Sequence, residues 1–416
     1  MRKSVIIKLL LFLILISFLS VDYASGENQG NAITWDKTFG GSREDMGFSI
    51  IQTENEGYAI AGCTIPDREK RQDTWRAKLG YIELTEDKRQ DIWIIKLDEK
   101  GNIEWDVVFG ENGPDIANSI IRTKDGGYAI AGFIWTIYAG KQDIWIIKLD
   151  EKGNKEWDKT FDKDKNDVAY SIIQTKDGGY AIAASTGFKL WGEANCWVIK
   201  LDTKGNMEWD NNFGGIGCDE IYSIIQTKDG GFITTGDVWS KGAGRGDVYV
   251  AKLNKRGDLV WDKTFGGSEN DEAHSIIQTD DEGYAVTGFT VSEDTGDRDF
   301  WVIKLDKDGN EVWDKTLGGI SEDWANSIIQ TKDGGYMVAG WTKSMGAGKT
   351  DVWIVKLDKR GNLVWDKTFG GSENDEAHSI IQTKDGGYAV TGWTKSKGTG
   401  NSDVWVIKLN ENGNLQ

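Results

Sequence analysis

A Trp-Asp pair returns along this 416-residue chain at a constant interval, which restricts the fold to a repeat architecture. From Trp105 onward the interval is 52 residues each time, and the first interval of 70 residues contains an 18-residue insertion in one loop. The seven pairs begin at Trp35, Trp105, Trp157, Trp209, Trp261, Trp313 and Trp365. A repeat of this length predicts one supersecondary unit that is copied seven times and stacked on itself.

Each repeat contains four short segments rich in β-branched and aromatic residues, as at Ser275–Thr279, Tyr388–Gly392, Asp351–Leu357 and Leu363–Phe369. Gly and Asn separate these segments, so each is expected to be a strand. The apolar residues are consecutive rather than alternating, which indicates sheets that are buried on both faces. The sequence therefore predicts an all-β fold, a seven-bladed β-propeller of four-stranded antiparallel blades with a 52-residue repeat.

The two ends of the chain indicate how the ring closes. The segment Ile33–Phe39 is a lone fourth strand, whereas the chain stops at Gln416, before the fourth strand of the last repeat. We therefore predict a single domain over 27–416, in which strand 33–39 completes the last blade and removes its free edge. The blades are expected at 42–109, 110–161, 162–213, 214–265, 266–317, 318–369 and 370–416.

The first 26 residues have the pattern of a signal peptide. Arg2 and Lys3 precede an apolar run over 9–19, and Ala24-Ser25-Gly26 supplies small residues for cleavage. The alternative is an uncleaved anchor, although an 11-residue run is short for a membrane span. We expect a secreted or cell-surface protein that is not inserted in the membrane after cleavage.

The net charge of −18 becomes about −20 once the signal peptide, with three basic residues and one acidic residue, is removed. So acidic a chain repels phosphate backbones, and nucleic acid is excluded as a partner. The regular repeat excludes disorder as the explanation of the charge.

The connections between strands sort onto two faces of the predicted ring. The tight-turn face carries the Lys-Asp-Gly-Gly turns, as at 384–387, and the Asp-x-x-Gly-Asn turns, as at 358–362. The long-loop face carries the connections between blades, as at 265–271, and those between second and third strands, as at 394–403. Binding residues concentrate on loops held by a rigid scaffold, so we expect the binding site on the long-loop face.

Aromatic residues that depart from the repeat are the candidate ligand-binding residues of this face. Trp and Tyr suit sugar rings or a protein partner, although they also fill gaps between loops. The candidates are Trp135, Tyr138, Trp191, Trp239, Trp324, Trp341 and Trp393.

Every repeat carries an Asp four positions before the first-strand Ser, and six repeats carry an Asp at the start of the third strand. We interpret both sets as structural acceptors of loop N–H groups, with a ring of cation ligands as the alternative. Asp162, Asp164 and Asn166 also resemble the start of a calcium loop that lacks its Gly and its final Glu. No cofactor is predicted, and these three residues are a candidate Ca²⁺ site.

Cysteine chemistry gives one further prediction. Cys196 replaces an apolar third-strand residue and Cys218 replaces a polar residue of the next long loop. An exported chain meets an oxidising compartment, so we predict a Cys196–Cys218 disulfide with Cys63 left as a thiol.

Nothing in the sequence forms a recognisable catalytic set. His274 and His378 share a repeat position that holds Phe, Asn or Tyr elsewhere, which is typical of a packing or loop position. Neither a Gly-x-Ser-x-Gly motif nor metal-binding histidine spacing is present, so the sequence predicts a protein that is not an enzyme.

The segment Tyr128–Trp157 resembles a kelch-type blade, and the Asp-x-x-Gly-Asn turns resemble the Trp-docking turn of quinoprotein-type propellers, one residue shorter. Residues 33–416 resemble exported archaeal and bacterial repeat proteins built on Trp-Asp-Lys-Thr-Phe-Gly-Gly and Asp-Gly-Gly-Tyr motifs. Such proteins are sometimes labelled bulb-type lectin-like because of strands such as Gly361–Trp365, but the mannose motif of those lectins is absent here. The resemblance implies architecture and no activity.

The function predicted is that of a monomeric, secreted or cell-surface binding or scaffold propeller. Its expected partner is a cell-surface glycan or protein that meets the long-loop face. Two alternatives stay open: a hydrolase or lyase acting on extracellular polysaccharide, and a structural component of the cell envelope. An acid/base pair facing the central channel would favour the enzyme.

Overall fold

The computed structural model describes residues 33–66, 89–111, 113–136, 140–163, 165–187, 194–291 and 296–415. Within these ranges the regular structure consists of 28 strands and no helix, so no helix there is long and apolar enough to cross a membrane. The predicted signal peptide, residues 1–26, lies outside the described residues.

The strands form seven sheets of four, and each sheet is one blade. Their bounds in chain order are β1 Trp35–Phe39; in blade 1, β2 Asp45–Gln52, β3 Tyr58–Thr64, β4 Asp91–Leu97 and β5 Ile103–Phe109; in blade 2, β6 Ile116–Arg122, β7 Tyr128–Thr136, β8 Lys141–Leu149 and β9 Lys155–Phe161; in blade 3, β10 Asp167–Gln174, β11 Tyr180–Thr186, β12 Asn195–Leu201 and β13 Met207–Phe213; in blade 4, β14 Asp219–Gln226, β15 Phe232–Val238, β16 Asp247–Leu253 and β17 Leu259–Phe265; in blade 5, β18 Glu272–Gln278, β19 Tyr284–Val291, β20 Arg298–Leu305 and β21 Glu311–Leu317; in blade 6, β22 Asp323–Gln330, β23 Tyr336–Thr342, β24 Asp351–Leu357 and β25 Leu363–Phe369; and in blade 7, β26 Asp375–Gln382, β27 Tyr388–Thr394 and β28 Asp403–Leu409.

The blades close into a ring, which confirms the predicted seven-bladed propeller. The first strand of every blade contacts the first strand of the next, and β26 returns to β2. In blade 7 the strand order is β1-β28-β27-β26, and β1 pairs antiparallel with β28 from Trp35 opposite Lys408 to Phe39 opposite Val404. The N-terminal strand therefore supplies the missing outer strand, as predicted.

The core is divided into seven apolar clusters, and each lies between two neighbouring blades. In one cluster Ile92 and Ile94 of blade 1 pack with Ile120 and Ile130 of blade 2. Second and third strands are buried along almost their whole length, whereas fourth strands alternate between exposed and half-buried residues. The consecutive apolar residues of the inner strands therefore reflect cover on both faces by adjacent blades.

The repeated Trp-Asp pair links strands and blades. The Trp105 ring meets Tyr128 of the next blade edge-on at 5.7 Å between centroids, and it lies against the turn at Gly153. The Asp of the pair accepts a hydrogen bond from the third-strand indole, as from Trp145 Nε1 to Asp158 Oδ2 at 3.0 Å. Each blade is therefore fastened to its neighbour through the residue type that marks the repeat.

A buried lysine in each third strand secures the tight-turn face. In blade 6 the Lys356 ammonium lies 2.8 Å from Asp333 of the Lys-Asp-Gly-Gly turn and also donates to Thr331. Lys148, Lys200, Lys252, Lys304 and Lys408 make the same ion pair in their blades. This face is thus held by a repeated structural contact, and the departures between blades lie elsewhere.

Candidate binding site at the axis of the long-loop face

The innermost side chains meet around the axis because of a β-bulge that recurs in all seven first strands. In blade 5 the register with the second strand shifts between Ala273 and Ser275, which leaves His274 as the bulged residue. Bulges re-aim side chains and are common beside functional sites. The bulged residues are Phe48, Asn118, Tyr170, Tyr222, His274, Asn326 and His378.

Contacts between blades show that the bulged side chains form a ring. Tyr170 and Tyr222 lie 4.9 Å apart between centroids, Tyr222 and His274 lie 5.5 Å apart, and Phe48 meets His378 at 5.1 Å. A second ring lies closer to the long-loop face. It begins with the residue two positions before each bulged residue, and its members differ strongly between blades.

The second ring consists of cross-strand pairs between the first and second strands. In blades 1 to 3 the pairs are apolar or small: Met46 and Cys63, Ile116 and Phe133, Val168 and Ser185. In blades 4 to 7 they carry carboxylates and aromatic rings: Glu220 and Asp237, Glu272 and Phe289, Trp324 and Trp341, Glu376 and Trp393. We call these last eight residues the axial site. Their placement on one side of the ring makes the site asymmetric.

Blade 4 contributes a buried acidic pair. The phenol oxygen of Tyr222 lies 2.7 Å from Glu220 Oε2 and 2.7 Å from Asp237 Oδ1, and both acids are at least 97% buried. Burial, followed by the charges of Asp237 and Glu220, raises the pKa of Tyr222 well above its usual value. The phenol therefore stays protonated.

Blades 5 and 6 contribute an aromatic platform. The indoles of Trp324 and Trp341 stack with their centroids 5.9 Å apart and their planes 13° apart, and Phe289 packs on Trp324 at 4.3 Å. The Arg298 guanidinium lies 5.2 Å from the Trp324 ring. Trp324 Nε1 donates a hydrogen bond of 3.3 Å to His274 Nδ1, so the orientation of the platform is fixed. Both indoles keep part of their surface exposed.

Blade 7 contributes an acid with a perturbed pKa. Burial raises the pKa of Glu376 to about 7, and the positive charges of Lys395 and Lys343 oppose that rise. Burial also lowers the pKa of His378 to about 4, so its imidazole is neutral at pH 7. His378 Nε2 lies 3.9 Å from Glu376 Oε2. Glu376 is therefore partly protonated near neutral pH and is able both to donate and to accept a hydrogen bond.

Blades 5 and 7 reuse the same sequence in different surroundings. Residues 261–279 and 365–383 are identical, so Glu272 and His274 are the equivalents of Glu376 and His378. The ring of His274 meets Trp324, whereas that of His378 meets Phe48.

The structure brings four predicted aromatic residues to one part of the long-loop face. Trp324, Trp341 and Trp393 belong to the axial site, and Trp393 is 93% buried. Trp239 is 45% exposed and donates from Nε1 to Asp237 Oδ2 at 2.9 Å, so it adjoins the acidic pair.

Of the other three aromatic candidates, Trp135 is the one that the structure describes, and it does not join this group. Trp135 lies on blade 2, where its N–H donates to Asp115 Oδ1 at 2.8 Å and its ring packs beside Gly113. Tyr138 and Trp191 lie outside the described residues.

The first-strand aspartates accept hydrogen bonds from loop N–H groups, as the structural interpretation expects. Gly371 N donates to Asp375 Oδ2 at 2.8 Å, and the same bond recurs from Gly267 to Asp271. Of the calcium-loop residues suggested by the sequence, Asn166 Oδ1 accepts the Gln142 N–H at 3.1 Å and Asp162 contacts the Lys141 ammonium. Asp164 lies outside the described residues, so this loop stays a prediction.

The predicted disulfide between Cys196 and Cys218 does not form in the structure, where no disulfide joins any of the three cysteines. The Cys196 side chain is fully buried among Ala181, Ala183 and Ile221, between blades 3 and 4. Burial also raises its pKa well above the ordinary thiol value. Cys196 therefore packs as a small apolar residue in place of the Ile or Val of other blades, and that prediction was wrong.

Sequence reasoning missed the carboxylates of the axial site: Glu220, Asp237, Glu272 and Glu376. Their signal was available, because each departs from the apolar residues that other blades hold at the same repeat position. Only the register places these departures opposite one another, across two strands and four successive blades.

No family model matches the chain. A stretch of 163 residues, 33% of this chain, is 25% identical to the regulatory protein FlaEY of Caulobacter vibrioides, and the match spans only 17% of that protein.

Three solved structures illustrate the likeness in fold. A puromycin hydrolase has a TM-score of 0.52 at 11% identity, over 89% of this chain and 52% of that one. A protein of unknown function from Dyadobacter fermentans has a TM-score of 0.51 at 11% identity, over 90% of this chain and 97% of that one. The WD40 domain of Neurospora crassa Pan2 has a TM-score of 0.51 at 9% identity, over 90% of this chain and 96% of that one. At such low identity these likenesses concern the fold alone, and the chain is a seven-bladed β-propeller.

Proposed function

We propose that this chain is an exported binding propeller that recognises an extracellular glycan through the axial site. One arrangement carries the proposal: the stacked indoles of Trp324 and Trp341 in blade 6 stand between Glu272 of blade 5 and Glu376 of blade 7. Indole faces pack on the apolar faces of sugar rings, and carboxylates accept hydrogen bonds from sugar hydroxyl groups. The repeat pattern of exported propellers and the apparent signal peptide support an extracellular location.

The charge of the protein narrows the class of glycan. A net charge of −18 disfavours acidic polysaccharides, and the carboxylates of Glu220, Asp237 and Glu272 add to this repulsion at the site itself. We therefore propose a neutral glycan or one that carries amino sugars, bound without chemical change.

Substitution of the platform tests this proposal. Residues 27–416 are screened on a glycan array, and the best ligand is measured by titration calorimetry. Trp324→Ala and Trp341→Ala are each expected to weaken binding about 5- to 10-fold, since aromatic contacts of this kind are worth about 1 kcal/mol per ring. Lys204→Ala, on the tight-turn face, is the matched control and should leave affinity unchanged. Full affinity in both Trp variants, or a loss in the control, would contradict the axial site.

One observation favours a second candidate, a hydrolase or lyase acting on extracellular polysaccharide. Glu376 has a pKa of about 7 because of burial, which is a property of general acids that work near neutral pH. Glu272, at the equivalent position two blades away, would supply the second carboxylate.

If the chain is an enzyme, Glu376→Gln should abolish turnover of the ligand found above while its affinity stays within a few fold. The wild-type rate should fall as the pH rises above about 7, because the acid loses its proton there. The measurement is release of reducing ends or of unsaturated products over time. Absence of turnover in the wild-type protein from pH 5 to pH 8 would contradict the enzyme candidate and leave binding as the only proposed function.

A further inference from the structure

A single substitution sets the junction between blades 2 and 3 apart from the other six. At those six junctions a Gly follows the fourth strand, and four of these glycines lie between two aspartates, one from each blade: Gly40, Gly266, Gly318 and Gly370. At Gly266, for example, a Cβ would lie 2.5 Å from Asp247 Oδ1 and 2.5 Å from Asp271 Oδ2. Between blades 2 and 3 this position holds Asp162, so a third carboxylate enters the space between Asp143 and Asp167.

The three carboxylates converge. Each of Asp143, Asp162 and Asp167 offers an oxygen atom, and these atoms lie within 4.8 Å of one another. Two oxygens bound to one Ca²⁺ at ~2.4 Å each are separated by at most ~4.8 Å, so the spacing is compatible with a shared ion.

Two of the three side chains present a buried oxygen that accepts no hydrogen bond. Asp167 is fully buried and Asp143 is 93% buried. Their Oδ2 atoms accept from Lys163 N at 2.7 Å and from Thr136 Oγ1 at 3.1 Å, but both Oδ1 atoms are buried without a donor. A buried carboxylate oxygen without a partner is unfavourable. Such an oxygen recurs on Asp299 and Asp323 at another junction, but among the described residues only the junction of blades 2 and 3 gathers three carboxylates, and this combination points to a ligand there.

A basic residue, Lys141, lies against the group. The Lys141 ammonium contacts Asp162 and lies 3.6 Å from Asp143 Oδ1. Its positive charge offsets part of the charge of the three carboxylates, and its distance to Asp143 Oδ1 is longer than a hydrogen bond. Lys141 is long and flexible, so a divalent ion is able to displace its ammonium toward solvent.

We propose that Asp143, Asp162 and Asp167 bind one Ca²⁺ ion at the junction of blades 2 and 3. The donor set is all oxygen, which suits hard cations and not Zn²⁺ or Cu²⁺. Ca²⁺ is preferred over Mg²⁺ because it tolerates an irregular set of ligands completed by water, whereas Mg²⁺ demands a near-octahedral arrangement. The ion fastens two blades together on the long-loop face.

Calcium binding to residues 27–416 is measured by titration calorimetry after removal of metal with a chelator, and by the thermal midpoint with and without CaCl₂. Wild type is expected to bind one Ca²⁺ per chain. Asp162→Gly restores the residue found at the other six junctions, so the fold should persist, and its calcium affinity should fall at least 10-fold. Asp308→Asn, an exposed acid on the tight-turn face, is the control for net charge and should bind as wild type does.

Lys141→Gln provides an independent check, because removal of the competing ammonium should tighten calcium binding several-fold. The proposal is overturned if wild type shows neither heat nor a midpoint shift at millimolar CaCl₂. An unchanged affinity in Asp162→Gly, or a weaker affinity in Lys141→Gln, overturns it as well.

Discussion

A chain that lacks residues 27–40 is expected to lose about 10 °C or more of its thermal midpoint, or to aggregate, because the ring then opens at blade 7. The deletion removes β1 and exposes the edge of β28 from Val404 to Lys408. It also removes Trp35 and Phe39, which pack on the cluster between blades 7 and 1, and the hydrogen bond from Trp35 Nε1 to Glu99 O. Loss of one fully buried aromatic typically costs about 3–5 kcal/mol, and these two rings are each partly buried.

Adding the missing strand as a separate peptide distinguishes exposure of the β28 edge from misfolding of the truncated chain. A synthetic peptide of residues 33–40 should bind the truncated chain and recover most of the lost midpoint, since strand addition to an open sheet edge is a common mode of recognition. A scrambled peptide of the same composition is the control. If the truncated chain melts within a degree or two of the intact protein, β1 does not close the ring.

The second large effect concerns pH: the folded protein should be more stable at pH 5 than at pH 8. Burial raises the pKa of Asp115 to about 7 and that of Asp167 and Asp299 to about 6, and Glu376 behaves likewise. A carboxyl whose folded pKa is raised binds its proton more tightly in the folded chain. Its contribution is therefore complete below about pH 4 and is lost as the pH rises through 6 to 7.

Two sets of groups act in the opposite direction and define the window. The pKa of His378 is lowered to about 4, so this residue favours folding as the pH rises from about 4 to about 6.5. The pKa values of Asp229 and Asp333 are lowered to about 2, because burial, which raises them, is more than offset by hydrogen bonds from Thr, Lys and a backbone N–H and by the Lys charge. These two aspartates lose their contribution to stability only below about pH 4. The raised carboxyls outnumber the histidine, so we expect a midpoint several degrees higher at pH 5 than at pH 8.

Asp299→Asn is the matched variant for this prediction. The equivalent position between blades 3 and 4 is naturally Asn195, so the amide is accommodated by the same local fold. This variant should melt higher than wild type at pH 8 and show a weaker pH dependence, because one buried charge is gone. A midpoint that rises steadily from pH 5 to pH 8 in wild type would refute the assignment of the raised pKa values.

The fold was predictable because its information is repeated seven times. The spacing of the Trp-Asp pairs fixed the repeat length, and the surplus strand Ile33–Phe39 fixed the closure. Local chemistry explains this success: turns with Asp-Gly and consecutive apolar residues have the same structural meaning in every repeat.

The candidate site was only partly predictable, because it depends on differences between repeats and on register. Trp324 and Trp341 were recognised by residue type, but their stacking follows from direct cross-strand pairing. Glu220 and Asp237 were missed since two acids 17 positions apart give no signal until β14 and β15 are aligned. The prediction of the disulfide was wrong for a similar reason. The sequence positions of Cys196 and Cys218 suggested that the two residues lie close together, but Cys196 is buried in an apolar cluster, and this packing accounts for a Cys there without a disulfide.

The identical segments 261–279 and 365–383, which end in the first strands of blades 5 and 7, have a consequence for how such a molecule acquires specificity. A copied blade carries its Glu and His intact, yet the ring gives each copy a different neighbour: an indole beside His274 and a phenyl ring beside His378. Two chemically distinct sites can therefore arise from one inherited segment before that segment itself mutates. In a circular array, duplication alone diversifies a site, because each copy of the segment contacts different side chains in the neighbouring blades.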